Sequence, residues 1–482
     1  MAIDLDDLDI RAKAKDFHDQ FLLARNTPEP PQGWRTHQCG GWCLLSHPSL
    51  PVLRLVSRDG SHSGFALGHP AGARGRLARG DLELPAEAGA GPPSAAAIER
   101  WVYGFGGRFV FVVMLPRMQR LYLDPMGTLT AVWCGRRQRV ASTPTLLLMD
   151  EPDHPVFRAS ASDFPRRRPN QFFPAGLTAA KGVRRLIVNH FLDLSGWTAA
   201  RHHPLCAYEE VCDGEIPALV ARFHEITSRQ IGAMIRECGG AYLGLTAGED
   251  SRRLLACARN HLDQLECVTV RFGPDHPDSG NDLDVSVATR LARHVGFRHR
   301  VLQEGACDSG ASRDYLLRIG YSGGPGKVRK FWETPMRHLD LCRGWMIGHG
   351  GEIGRSHYWK RLPLETRPTV TDLLEVMRLP VRPGFAEALE SWLAGLPDGS
   401  PAFHLNMAHL ELRVGGWVGP HLHGAAPFRV NMLPLCHRDC IDAMLMLPTE
   451  FKAEGGLARE VLKLAWPELL DLPFNRNGGL GG

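Results

Sequence analysis

The sequence predicts an α/β protein in which an antiparallel, β-rich N-terminal part precedes a parallel-sheet part. Three observations predict it. Short apolar runs separated by tight turns fill the first 150 residues, strand and helix patterns alternate from 241 to 302, and two glycine-rich loops follow strands about 100 residues apart. Runs joined by tight turns pair antiparallel, whereas strands alternating with helices need crossovers and make parallel sheets.

The elements follow in chain order. The run 109–113 (FVFVV) reads as a strand, Pro116 as a turn, and 121–123 as the next strand. Asp124-Pro125-Met126-Gly127 places Pro and Gly at favoured turn positions, and 130–134 follows as another strand. The Gly-, Ala- and Pro-rich stretch 71–96 reads as a long loop. Residues 1–150 therefore form the β-rich domain, and the proline-punctuated 151–210 reads as a linker and entry segment.

From Ile216 the period changes. Leu219, Val220, Phe223, Ile226, Ile231 and Met234 recur at helical spacing, with Gly239-Gly240 as the stop. Strands are expected at 241–245, 265–272, 299–302 and 345–347, and helices at 252–260 and 282–294. The last 130 residues read as mostly helical, broken at 380–384 (PVRPG). The second domain is thus 211–482.

Composition narrows the function. The 482 residues are 44% apolar and 22% charged with net charge +4, which excludes a wholly disordered chain and leaves no electrostatic footprint for nucleic acid. Arg166-Arg167-Arg168 is read as a solvated turn. No apolar run approaches the roughly 18 residues that span a bilayer, and the acidic N-terminal stretch lacks a secretory apolar core. A cytoplasmic protein with no membrane partner is expected. The 12 cysteines are scattered and read as reduced thiols. Cys436 and Cys440, with His421, His423 and His437, have the chemistry for zinc but the spacing of no common finger.

The chemistry concentrates in the two loops. Leu245-Thr246-Ala247-Gly248-Glu249-Asp250-Ser251 sits between a strand and a helix, where backbone amides and the Thr246 and Ser251 hydroxyls suit an anion. Asp250 would repel a bare phosphate, so its presence implies bridging Mg²⁺. The loop has no lysine and is not a Walker A motif. An ordinary turn capped by Thr246 or Asp250 is the competing reading. The second loop, Gly348-His349-Gly350-Gly351-Glu352, brings another carboxylate. In an open parallel sheet both loops would meet at the carboxyl edge, where ligands bind.

These loops resemble those of the asparagine synthetase-like family. Thr246-Ala247-Gly248-Glu249-Asp250-Ser251 looks like the S-G-G-x-D-S loop of N-type ATP pyrophosphatases, and Gly348 to Glu352 like the family's G-x-G-x-D loop. The β-rich part, with Gly107-Arg108-Phe109-Val110-Phe111, Asp124 to Gly127 and Ala141-Ser142, is similar to the family's class II glutamine amidotransferase-like domain. Leu412-Arg413, Pro434-Leu435 and Leu447-Pro448 extend the likeness, which covers most of the chain.

The resemblance implies an AMP-forming ligase with ATP and Mg²⁺ as cofactors. A small-molecule or peptidic carboxylate is adenylated, and an amine or ammonia then forms an amide, lactam or macrolactam, as in natural-product, peptide or polysaccharide biosynthesis. By the same resemblance, Leu245, Thr246, Ala247, Gly248, Asp250 and Ser251 bind pyrophosphate together with Gly348, Gly350 and Gly351. Val270, Phe272 and Gly273 line the adenine pocket, and Asp250 and Glu352 hold the metal.

Three departures shape the expectation. Position 2 is Ala2 and the first cysteine is Cys39, so a glutaminase working through an N-terminal thiol is not expected. The metal residue of the second loop is Glu352 rather than aspartate. The family's C-terminal lysine has no counterpart near 455–457, leaving Lys452 and Lys463 as candidates, with Tyr321 as candidate proton acceptor. Lys327, Arg329 and Lys330 are candidate partners for a substrate carboxylate or phosphate. Glutamine-dependent chemistry with a partner glutaminase and a non-catalytic homologue are the alternatives; a homodimer is compatible with all of them.

Overall fold

The computed structural model describes residues 9–26, 28–72, 75–86, 92–158, 172–273 and 281–474. Ala2 and Arg166 to Arg168 lie outside them. The chain is mixed α/β, with two sheets that are antiparallel except for one short parallel pairing at an edge, followed by one parallel sheet.

The antiparallel sheets stack face to face. One has six strands, in the order Arg184–Arg185, Val132–Cys134, Arg139–Ala141, Phe21–Ala24, Trp42–Ser46, Arg35–Cys39. The other has seven and is centred on Gly106–Leu115, which pairs with Met118–Leu123 and His62–Ala71. Phe21, Leu23 and Leu44 of the first sheet interlock with Phe65, Val110, Val112 and Leu121 of the second. Phe109, Phe111 and Val113 alternate onto the outer face, under Ile98 and Val102 of the helix Ala95–Tyr103.

Two expectations change here. The run 130–134 does not continue the meander of 109–123 but crosses to the other sheet. The segment 151–210 is more than a linker: Arg184–Arg185, His190–Asp193 and Thr198–Arg201 complete both sheets. These strands are too short to stand out from surrounding prolines and glycines. Within 71–96, Leu82–Glu83 pairs with Val52–Val56, and Ser94 caps the following helix.

The turn at Asp124 has a physical basis. Its buried carboxylate accepts hydrogen bonds from the amides of Met126, Thr128 and Leu129 and from the Thr128 hydroxyl. The Cys436 thiol donates to Asp124 Oδ1 at 3.1 Å, tying the β-rich part to the C-terminal part.

The parallel sheet follows α1 (Ile216–Cys238), which ends on Gly239 in the left-handed conformation, φ 64°. Its strands are β1 (Ala241–Gly244), β2 (Leu265–Arg271), β3 (His299–Gln303), β4 (Gly344–Met346) and β5 (Val430–Met432), in spatial order 3-2-1-4-5. Helices α2 (Glu249–Cys257) and α3 (Asp282–Val295) make the crossovers. The order reverses between β1 and β4, and such a switch point opens a crevice at the carboxyl ends of the strands. The fifth strand lies inside the stretch read as helical. That stretch also carries an 11-residue π-helix, Ala408–Val418, a form frequent at functional sites. Among the described residues, no helix is long and apolar enough to cross a membrane.

Candidate functional site

Both glycine-rich loops emerge at this switch point. The first leaves β1 and enters α2, whose cap is Gly248 in extended conformation with no side-chain hydrogen bond. Neither Thr246 nor Asp250 caps the helix through its side chain. The loop's hydroxyls instead shape it from within. Ser251 Oγ accepts from the Thr246 amide at 3.1 Å, and Thr246 Oγ1 accepts from the Gly248 amide at 3.1 Å.

The second loop packs directly against the first. Gly350 adopts φ 92°, and a Cβ on Gly351 would fall 2.5 Å from Asp250 Oδ1. Only glycine allows that approach. Arg253 donates to Asp250 Oδ1 and, at 2.9 Å, to the Gly351 carbonyl; Arg355 Nη2 lies 3.2 Å from Asp250 Oδ2. Glu352 accepts from the Gly350 amide at 2.8 Å. Burial alone would raise its carboxyl, but the hydrogen bond with His349 and the charges of His409 and Arg355 outweigh it and hold the group well below the usual range.

A cavity of about 210 Å³ opens between the loops. Leu245, Thr246, Asp250, Ser251, Gly348 and Glu352 line it, and so do Val270 and Phe272 at the end of β2. With Lys330, nine of the candidate residues named from the sequence therefore share one cavity. Ala247, Gly248, Gly350 and Gly351 belong to the same loops behind it. Gly273 donates its amide to Glu304 at 2.9 Å instead. Lys330 also reaches the lining, with Nζ 5.8 Å from the Phe272 ring centre.

The candidate catalytic side chains are not brought there. Tyr321 has φ 54° and is 1% exposed, packed against Phe157 in the core under the six-stranded sheet. Burial pushes its hydroxyl up to about 12, the wrong direction for a base. Lys452 is buried and donates to the Leu445 carbonyl at 3.3 Å. Lys463 is half-exposed and pairs with Glu460. The cysteine group also disperses: Cys436 contacts Asp124, Cys440 lies 3.6 Å from Thr227, His421 bonds Tyr315, and His423 bonds Arg108 and Thr130. No group of three or more His, Cys, Asp or Glu suited to a metal occurs among the described residues. All twelve cysteines are free thiols.

Sequence reasoning missed several lining residues. His349 packs edge-on against Trp417 of the π-helix at 5.7 Å. Trp345 of β4 stacks on Phe428 and forms part of the apolar wall with Ile347. Asn281 and Asp284 approach from the start of α3. The polar residues just before and inside a predicted helix were a weak signal for these last two. No protein-family model matches this chain, and no curated protein matches it.

Proposed function

We propose that the chain is an ATP- and Mg²⁺-dependent ligase that activates a carboxylate as its acyl-adenylate and joins it to an amine or ammonia as an amide. In this reading the parallel-sheet part is an ATP pyrophosphatase domain and the β-rich part an amidotransferase-like platform. One observation carries the proposal: Thr246, Ser251, Asp250 and Glu352 share a single cavity at the switch point of a 3-2-1-4-5 parallel sheet.

The donor set suits magnesium. Asp250 and Glu352 would hold the ion through hard carboxylate oxygens once Arg253 and Arg355 release Asp250, leaving room for phosphate oxygens and water. When bound, the metal would screen the charge that grows on departing pyrophosphate. The chain's own groups do the rest. The uncapped first turn of α2 would receive the triphosphate, where leaving-group charge develops, and the Thr246 and Ser251 hydroxyls, now bonded within the loop, line the same cavity. Val268, Val270, Phe272, Trp345 and Ile347 supply apolar surface for a purine. A substrate carboxylate oxygen attacks the α-phosphorus, pyrophosphate leaves as the bond to the bridging oxygen breaks, and the amine then displaces AMP from the acyl carbon and gives up a proton to solvent. Lys330 stands on the lining as a counter-charge for the α-phosphate or the incoming carboxylate.

The test is equilibrium ATP binding with and without Mg²⁺, followed by pyrophosphate release against a panel of carboxylates and amines. Binding is expected below millimolar ATP, with release that depends on both an acid and an amine. No binding at millimolar ATP rejects the reading.

A further inference from the structure

The start of α3 makes two contacts inside the cavity that its own helix does not need. Asn281 directly precedes the helix, yet its side chain does not cap it. The carboxamide turns back to the end of β2 instead. Oδ1 accepts from the Phe272 amide at 3.1 Å, and Nδ2 donates to the Val270 carbonyl at 2.7 Å. Three residues on, Asp284 Oδ1 accepts from the Ala247 amide of the first loop at 2.9 Å. Both side chains line the cavity.

The chemistry of these contacts is that of a nucleotide. A carboxamide is a flat group carrying one acceptor beside one donor. Adenine's N1 and 6-amino group present the same pair on the edge by which proteins read a base. Guanine presents the reverse order there and would set donor against donor at Phe272. A carboxylate oxygen on a loop amide likewise takes the bond of a phosphate oxygen. The two mimics engage different parts of the lining, one the end of β2 and one the first glycine-rich loop.

We propose that Asn281 and Asp284 are the residues that ATP exchanges with on entering the site: adenine replaces the Asn281 carboxamide, and a phosphate oxygen replaces the Asp284 carboxylate. The inference rests on reading this cavity as an ATP site. Its consequence is that both side chains weaken nucleotide binding, because each bond ATP makes there is offset by one the protein gives up. Each such hydrogen bond corresponds to roughly a three- to tenfold change in affinity.

The experiment measures Kd for adenosine, inorganic pyrophosphate and ATP, the last two with Mg²⁺, on the full chain. Asn281→Ala is expected to tighten adenosine and ATP by roughly three- to tenfold and to leave pyrophosphate unchanged. Asp284→Ala should tighten pyrophosphate and ATP and leave adenosine unchanged. Its effect must exceed that of Asp282→Ala, an exposed acid on the same turn that controls for net charge. Unchanged or weaker ATP binding in both variants overturns the inference, since the side chains would then be fixed scaffold. Should either variant fail to fold, hydrogen exchange on the unaltered chain decides. ATP should protect 243–251 while the amides of 282–287 exchange faster, and protection of both segments overturns the proposal. Absence of ATP binding in the unaltered chain rejects the ligase reading itself, whereas normal binding with indifferent variants rejects only this exchange.

Discussion

Arg355 brings Nη2 to 3.2 Å from Oδ2 of Asp250, so the second glycine-rich loop supplies a counter-charge to the acid of the first. Arg253 holds the other oxygen. The carboxylate that the proposed function assigns to Mg²⁺ is thus also the clasp between the loops, and under that proposal a metal would exchange with a guanidinium to reach it. Arg253 is 1% exposed, so Asp250→Asn leaves a buried cation without its partner. Breaking such a pair costs about 3 kcal/mol. A lower Tm is therefore expected, together with loss of the Mg²⁺-dependent part of ATP affinity. Arg355→Lys keeps a positive charge near Asp250 and should retain most of both. Thermal unfolding and calorimetric titration of ATP with and without Mg²⁺ check this, and an Asp250→Asn protein with unchanged Tm would show that the clasp holds nothing.

Lys452 is expected to matter for stability rather than chemistry. Burial pulls its ammonium down to about 8, against a partial opposing pull from Glu210 and Glu450. In the unfolded chain the group titrates near 10.5. Between these values the unfolded chain binds more protons, so stability rises as pH climbs from 8 towards 10.5, and below 8 the charge is a constant burden on the fold. Lys452→Met removes the charge at similar volume. Tm at pH 7 should rise, by about 1–3 kcal/mol of stability, and the rise of Tm between pH 8 and 10.5 should flatten. ATP affinity should not change, because Lys452 is not on the cavity. Loss of pyrophosphate release at unchanged Tm would return this lysine to the reaction.

What the sequence revealed and concealed follows from the range of the interactions. Helix α1 was legible through Phe223, Ile226 and Met234 at helical spacing, and its end through Gly239, because both signals are local. The first three strands of the parallel sheet were legible for the same reason. Strand β5 was not: Val430–Met432 is three residues long and exists because β4 lies beside it. Asn281 and Asp284 reach partners nine to 37 residues away, at positions that crossover geometry alone determines. Tyr321 was misplaced because the left-handed turn at Gly320 and Tyr321 aims the ring into the core, which chain position does not disclose. The loops themselves were readable, since glycines, hydroxyls and acids between a strand and a helix carry their chemistry in their composition.

Glu411 yields the remaining prediction, on how the two parts of the chain are held together. It lies on the π-helix, fully buried, while Arg201 ends a strand of the β-rich part. Arg201 donates both terminal nitrogens to it, at 2.6 and 2.8 Å, and Asn189 and Trp392 donate at 2.8 and 2.7 Å. Burial would raise the Glu411 carboxyl, but the pairing with Arg201, helped by His190 and Asn189, outweighs it and holds the group below its ordinary 4.5. The folded pKa is depressed, so the stabilisation is complete above about pH 4.5 and is lost as pH falls through the folded value. Glu411→Gln keeps the shape but leaves Arg201, itself nearly buried, without its counter-ion, at a cost of about 3–5 kcal/mol. Urea midpoints between pH 3 and 7 should drop for the variant at pH 7 and converge with the unaltered chain at the acid end. Parallel curves across the whole range would mean that the Glu411–Arg201 pair does not hold the π-helix to the β-rich part.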